Sequence, residues 1–119
     1  MFTVYAIPNC NTVKKAIDWL KKNNVFYTFH DYKKSGIEEL KLKEWTNQID
    51  WQLLLNKKGT TWKQLEPAVQ NSIVSAEKAI ELMMQKTSVI KRPLIEKNGK
   101  IILLGFEESA YEKAFLTHL

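Results

Sequence analysis

The chain predicts a mixed α/β fold in the order βαβ, a helical middle, then ββα, and three observations carry that expectation. A β-rich opening run, an amphipathic helix and a second β-rich run follow one another at the front of the chain. Near the other end Asn98-Gly99 sits between two apolar runs, the strongest short-range signal for a β-hairpin. Between the two, apolar residues recur at helical spacing. The expected organisation is one domain in which residues 1–33 and 88–119 form the α/β core and residues 34–87 a helical insertion.

Phe2-Thr3-Val4-Tyr5-Ala6-Ile7 reads as the first strand, and Pro8-Asn9 turns it into a helix. That helix carries Val13, Ala16, Ile17 and Leu20 at i, i+3, i+4 and i+7, with lysines on the opposite face, and Asn23-Asn24 ends it. The run from Val25 to Tyr32 is rich in β-formers and predicts a second strand, parallel to the first through a right-handed crossover. Ser35-Gly36-Ile37-Glu38 has the form of a capping box, opening a helix whose inward face would hold Ile37, Leu40, Trp45 and Ile49. A short segment from Trp51 to Leu55 stops at the polar turn Asn56-Lys57-Lys58-Gly59, and Glu66-Pro67 marks a start or a break. Ser75 caps a helix with Ala76, Ala79, Ile80 and Met83 at helical spacing, where Met83 and Met84 read as packing residues. Leu94-Ile95-Glu96 and Ile101-Ile102-Leu103-Leu104 make the antiparallel hairpin. Gly105 then releases the chain into a last helix near Glu107-Glu108, with Tyr111, Ala114 and Phe115 inward.

Composition narrows the classes. With 45% hydrophobic residues in 119, the chain has the makeup of an ordinary globular domain, which excludes a disordered or fibrous protein. No apolar run approaches the ~20 residues that span a bilayer, and the opening lacks a signal-like segment, so a cytoplasmic protein without a membrane partner is expected. The net charge of +5 is spread as lysine pairs with Arg92 as the one arginine, a pattern of solvated surface that argues against direct nucleic-acid binding. The same excess would still steer small anions or acidic protein surfaces toward the molecule. His30 and His118 stand far from Cys10 without ligand spacing, so no bound metal or cofactor is expected and both histidines read as surface or packing residues.

Cys10 is the one cysteine, and it lies where the first strand turns into the first helix. Unpaired amides and the positive dipole end at a helix N-terminus favour thiolate over thiol, and Lys14 one turn on would add a full charge near the sulfur. A lone cysteine cannot form an internal disulfide, so its redox chemistry needs a partner thiol and suits a reducing compartment.

The element order resembles the thioredoxin fold, and the whole chain resembles the ArsC/Spx/YffB family, in which a helical insertion divides a glutaredoxin-like core. Four ordered motifs carry the resemblance. They are Pro8-Asn9-Cys10-Asn11-Thr12-Val13-Lys14-Lys15-Ala16, Leu54-Leu55-Asn56-Lys57-Lys58-Gly59-Thr60-Thr61-Trp62, Ile90-Lys91-Arg92-Pro93-Leu94 and Leu103-Leu104-Gly105-Phe106. The likeness is closest to the YffB-type subgroup, with its single cysteine and Lys91-Arg92-Pro93.

The resemblance implies a cis Arg92-Pro93 bond facing the thiol, with Cys10 and Arg92 as the catalytic pair. Asn11, Thr12, Lys14, Asn56, Lys57 and Pro93 would bind substrate, with glutathione as co-substrate and protein thiols or mixed disulfides as further partners of a monomer. Thr60, Thr61 and Trp62 read as structural, capping a helix and anchoring an indole. Arsenate reductases of the family grip their oxyanion with several arginines, of which this chain matches only Arg92, so arsenate reduction is disfavoured. Spx-type regulators bind the RNA polymerase α-subunit and carry Cys-x-x-Cys. Val13 breaks that pair here, which excludes their redox switch and leaves polymerase binding open.

Overall fold

The strands are β1 (Phe2–Ala6), β2 (Tyr27–Asp31), β3 (Leu94–Lys97) and β4 (Lys100–Leu104), and in a computed structural model of the protein they form one mixed sheet. The structure describes residues 1–116, so His118 lies outside the described residues. The sheet order is β2-β1-β3-β4, with β1 parallel to β2 and antiparallel to β3, and β3 antiparallel to β4. This is the thioredoxin-like arrangement that the element order predicts.

Alternation along β1 sends its residues to two chemically different faces. Val4 and Ala6, with Ile95 from β3, pack against Val13, Ala16, Trp19 and Leu20 of helix α1 (Asn11–Lys22) and against Tyr111 and Phe115. The opposite face carries Tyr5 beside its cross-strand partners His30 and Leu94, and Thr3 opposite Glu96. That face is polar, yet Tyr5, Leu94 and Glu96 on it are buried.

The hairpin turns on Asn98 and Gly99, both at positive φ (52° and 80°), as a two-residue turn of the primed kind requires. The last helix, α8 (Glu108–Tyr111), runs on into a π-helical turn over Glu112–Leu116. Tyr111 and Phe115 are buried there, and the Tyr111 hydroxyl donates to the Gly105 carbonyl at 2.7 Å.

The chain divides into two compact units, Met1–Ser35 with Arg92 onward, and Gly36–Lys91. The second is made of α3 (Glu39–Thr46), α4 (Trp51–Leu54), α5 (Thr60–Lys63), α6 (Pro67–Ser72) and α7 (Ala76–Gln85), with a 3-10 turn at Thr87–Val89. Ser75 caps α7 as expected, its hydroxyl accepting from the Lys78 amide at 3.2 Å, and Pro67 occupies the first position of α6. Leu42, Trp45, Leu54, Trp62, Ile80 and Met83 are buried in this unit.

Four local expectations fail. Ser35 does not open a helix: it ends the short α2 (Tyr32–Ser35), Gly36 follows at φ +63°, and α3 starts after Glu38, which makes no side-chain cap. A left-handed residue directly after the serine turns the chain away before a capping geometry can form. Helix α3 buries Leu42 and Trp45, and Leu40 is 73% exposed, so the predicted inward face is rotated. Met84 is also exposed, because α7 buries Ala79, Ile80, Leu82 and Met83 and Met84 falls beyond that stripe. The strand predicted to reach Tyr32 stops at Asp31, whose carboxylate accepts from the Lys33 amide at 2.8 Å and begins α2.

Candidate functional site

Cys10 occupies the N-cap of α1 with extended backbone (φ −132°, ψ 127°), and its carbonyl accepts from the Lys14 amide at 2.9 Å, the first bond of the helix. Its side chain caps no amide with an oxygen, because the N-cap position that usually holds serine, threonine or aspartate holds sulfur. The amides of Val13 and Thr12 are instead turned on the thiol. The helix can do this because its first N–H groups have no intrahelical partner.

Arg92 comes to the same sulfur from the segment leading into β3, and the Arg92-Pro93 bond is cis. Partial burial pushes the thiol up. The Val13 amide, the charge of Arg92, the Thr12 amide and a hydrogen bond from the Arg92 side chain together outweigh that, and Cys10 is held below its usual value of 9.0. The charge that acts is the guanidinium. Lys14, expected from the sequence to add its charge, is exposed on α1 one turn beyond the sulfur.

The structure therefore brings Cys10, Thr12, Arg92 and Pro93 to one place, with Asn11 and Lys14 exposed on the adjoining turn of α1. A groove of about 330 Å³ beside them is lined by Pro8, Val13, Lys14, Ile17, Asp18 and Phe29. A larger groove of about 450 Å³ lies at the other end of the strands, around Phe2, Asn24, Phe26 and Phe115, and holds no thiol. Asn56 and Lys57 belong to the second unit, where they build its turn. The Asn56 amide donates to the Val89 carbonyl at 2.8 Å, its side chain packs so close to Gly59 that a Cβ there would come within 2.8 Å of Nδ2, and the Lys57 ammonium sits 5.3 Å from the centre of the Trp62 ring.

Sequence reasoning missed two features of this site. The amide that does most to lower the thiol belongs to Val13, an apolar residue whose side chain signals only packing. It also missed the polar group on the far face of the sheet: Tyr5, His30, Tyr32 and Glu96. The available signal was Glu96, a carboxylate two residues beyond Leu94 and directly after the apolar pair Leu94-Ile95. Among the described residues no group of three histidine, cysteine, aspartate or glutamate side chains could hold a metal ion, and no helix is long and apolar enough to cross a membrane.

Comparison with known proteins matches residues 5–114 to the family described as the ArsC family. An uncharacterised protein of Haemophilus influenzae is 41% identical over 97% of this chain and 99% of its own length. The solved structure of a protein named YffB superposes with a TM-score of 0.89 at 42% identity, covering 96% of this chain and 98% of that one. The global transcriptional regulator Spx of Streptococcus mutans is 27% identical over 98% of this chain and 83% of its own.

Proposed function

The chain belongs to the ArsC family, and on that footing we propose that it is a glutathione-dependent thiol reductase working through Cys10 as its single nucleophile. The observation that supports the reading is the setting of the sulfur, between the Val13 amide and the Arg92 guanidinium, which favours thiolate over thiol.

The Cys10 thiolate attacks the glutathione sulfur of a substrate–glutathione mixed disulfide. The disulfide breaks, the substrate leaves as thiolate and takes a proton from water, and glutathione stays bonded to Cys10. A second glutathione thiolate attacks its tethered counterpart, releases Cys10 as thiolate and departs as oxidised glutathione. The substrate is reduced and two glutathiones end as one disulfide. Arg92 holds a carboxylate or the leaving sulfur, Lys14 offers a second cation along the groove beside Pro8, and Asn11 and Thr12 supply donors near the sulfur. The reaction suits a monomer in a reducing cytoplasm, where glutathione is the available thiol.

The test is intact mass after incubation with oxidised glutathione at neutral pH. The wild-type chain is expected to gain one glutathione, reversed by reduced glutathione, and Cys10→Ser to gain none. A wild-type mass that stays unmodified while a control glutaredoxin forms its adduct would overturn the proposal. A second reading then takes its place, favoured by the near full-length likeness to Spx: an adaptor that binds the RNA polymerase α-subunit, checked by pull-down with the purified subunit.

A further inference from the structure

We propose that the groove along the first turns of α1 seats the leaving half of the mixed disulfide, and that the thiol it selects is small, uncharged and apolar, the size of a single ring or branched chain. The proposal rests on the thiol-reductase reading above and names the class of substrate taken at the same sulfur.

Helical spacing places this groove next to Cys10. Residues 10, 13, 14, 17 and 18 fall on one side of α1, and the last four line the groove together with Pro8, two residues before the cysteine, and Phe29. The stripe runs from the N-cap down the helix for about 12 Å. Cys10, Ile17 and Phe29 also pack against one apolar cluster, the one that contains Val13. The other wall belongs to β2. Phe29 is paired with Val4, and both join that cluster on the α1 side of the sheet. Because β2 is an edge strand, no strand beyond it covers the ring, and Phe29 and Ile17 stay half-buried.

The lining separates the two halves of the disulfide by their chemistry. Glutathione is a polar tripeptide with two carboxylates, for which the Arg92 guanidinium beside the sulfur is the fitting partner. The groove offers the opposite. Pro8, Val13, Ile17 and Phe29 present no hydrogen-bonding side chain, so a charged or strongly polar group laid on them would lose water and gain no partner. Charge is confined to Lys14 and Asp18, both exposed and opposite in sign, which leaves the rim without net charge. The volume of about 330 Å³ lies at the lower end of ligand pockets, roughly 300–1,000 Å³. That suits one ring or branched chain, not a second peptide. In the reaction the Cys10 thiolate attacks the glutathione sulfur, the bond between the two substrate sulfurs breaks, and the apolar half leaves the groove as a thiolate that takes a proton from water. Cys10 keeps the glutathione as a disulfide, and the apolar thiol is the reduced product.

The probes are the glutathione mixed disulfides of benzyl mercaptan and of 2-mercaptoethanol, one with an apolar ring and one without. The rate at which the reduced chain gains one glutathione is read by intact mass, and each rate is divided by that of N-acetylcysteine with the same disulfide to remove intrinsic reactivity. The wild type is expected to prefer the benzyl compound about tenfold. The preference is expected to fall to about twofold or less in Ile17→Asn and in Phe29→Thr. Phe26→Ser is expected to keep it, since that ring, 80% exposed, borders the larger groove at the other end of the strands. A wild-type preference near one, a preference untouched by both groove variants, or an equal fall in Phe26→Ser overturns the proposal while leaving the thiol-reductase reading in place. Should Ile17→Asn fail to fold by circular dichroism, Phe29→Thr decides, and an unchanged preference there counts against the groove. A wild-type chain that gains no glutathione from either disulfide removes the thiol-reductase reading itself.

Discussion

In the proposed reaction a single sulfur carries the chemistry, and the groups that lower its pKa differ in kind. The Val13 and Thr12 amides belong to the backbone and are available to any residue at that N-cap, whereas the Arg92 guanidinium comes from a distant part of the chain. Substitution can therefore separate them. Alkylation by iodoacetamide follows the thiolate fraction, so its rate falls about tenfold for each pH unit below the midpoint. The midpoint for the wild type is expected to lie below that of free cysteine, because the lowering contributions outweigh burial. Arg92→Ala is expected to move it upward and Lys14→Ala to leave it in place. An equal shift from both variants would show that net positive charge, not the placed guanidinium, is what the sulfur feels.

The elements follow their local signals wherever backbone chemistry is decisive. Asn98 and Gly99 at positive φ define the hairpin, and the apolar stripe of α1 is buried as the spacing requires, with Trp19 joining it. Ser75 and Ser35 make a useful contrast. Both precede a helix-like pattern, yet only Ser75 places its hydroxyl on an amide, while Ser35 is followed by Gly36 in the left-handed region. Ser75→Ala is expected to cost about 0.5–2 kcal/mol in urea denaturation. Ser35→Ala is expected to stay within about 0.5 kcal/mol, as an exposed residue without a cap. Equal losses at the two positions would mean that the capping bond of α7 contributes nothing to stability.

The molecule as a whole carries +5, and glutathione, the co-substrate we propose, is an anion. Positive potential raises the encounter rate of small anions and is screened over about 10 Å at 0.1 M salt. The rate of adduct formation with oxidised glutathione is therefore expected to fall as sodium chloride rises from low to high concentration. The rate with the neutral disulfide of 2-mercaptoethanol is expected to stay level. Parallel behaviour of the two disulfides would show that the lysine surface plays no part in capture.

Much of this was readable from residue order, because the deciding forces act over a few residues. The βαβ and ββα ends, the Asn-Gly turn, the proline that starts α6 and the cysteine at a helix N-terminus all depend on neighbours in the chain. Family motifs then pointed to Arg92 as the partner of Cys10. Three things awaited the folded chain. The rotated face of α3 depends on which side of the helix finds a core, and local pattern leaves that open. The guanidinium that hydrogen-bonds the sulfur comes from Arg92, far from Cys10 in sequence, and only the folded chain brings the two together. The Tyr5–Glu96 pair joins residues on two strands far apart in sequence, and only the register of β1 against β3 brings the hydroxyl to the carboxylate.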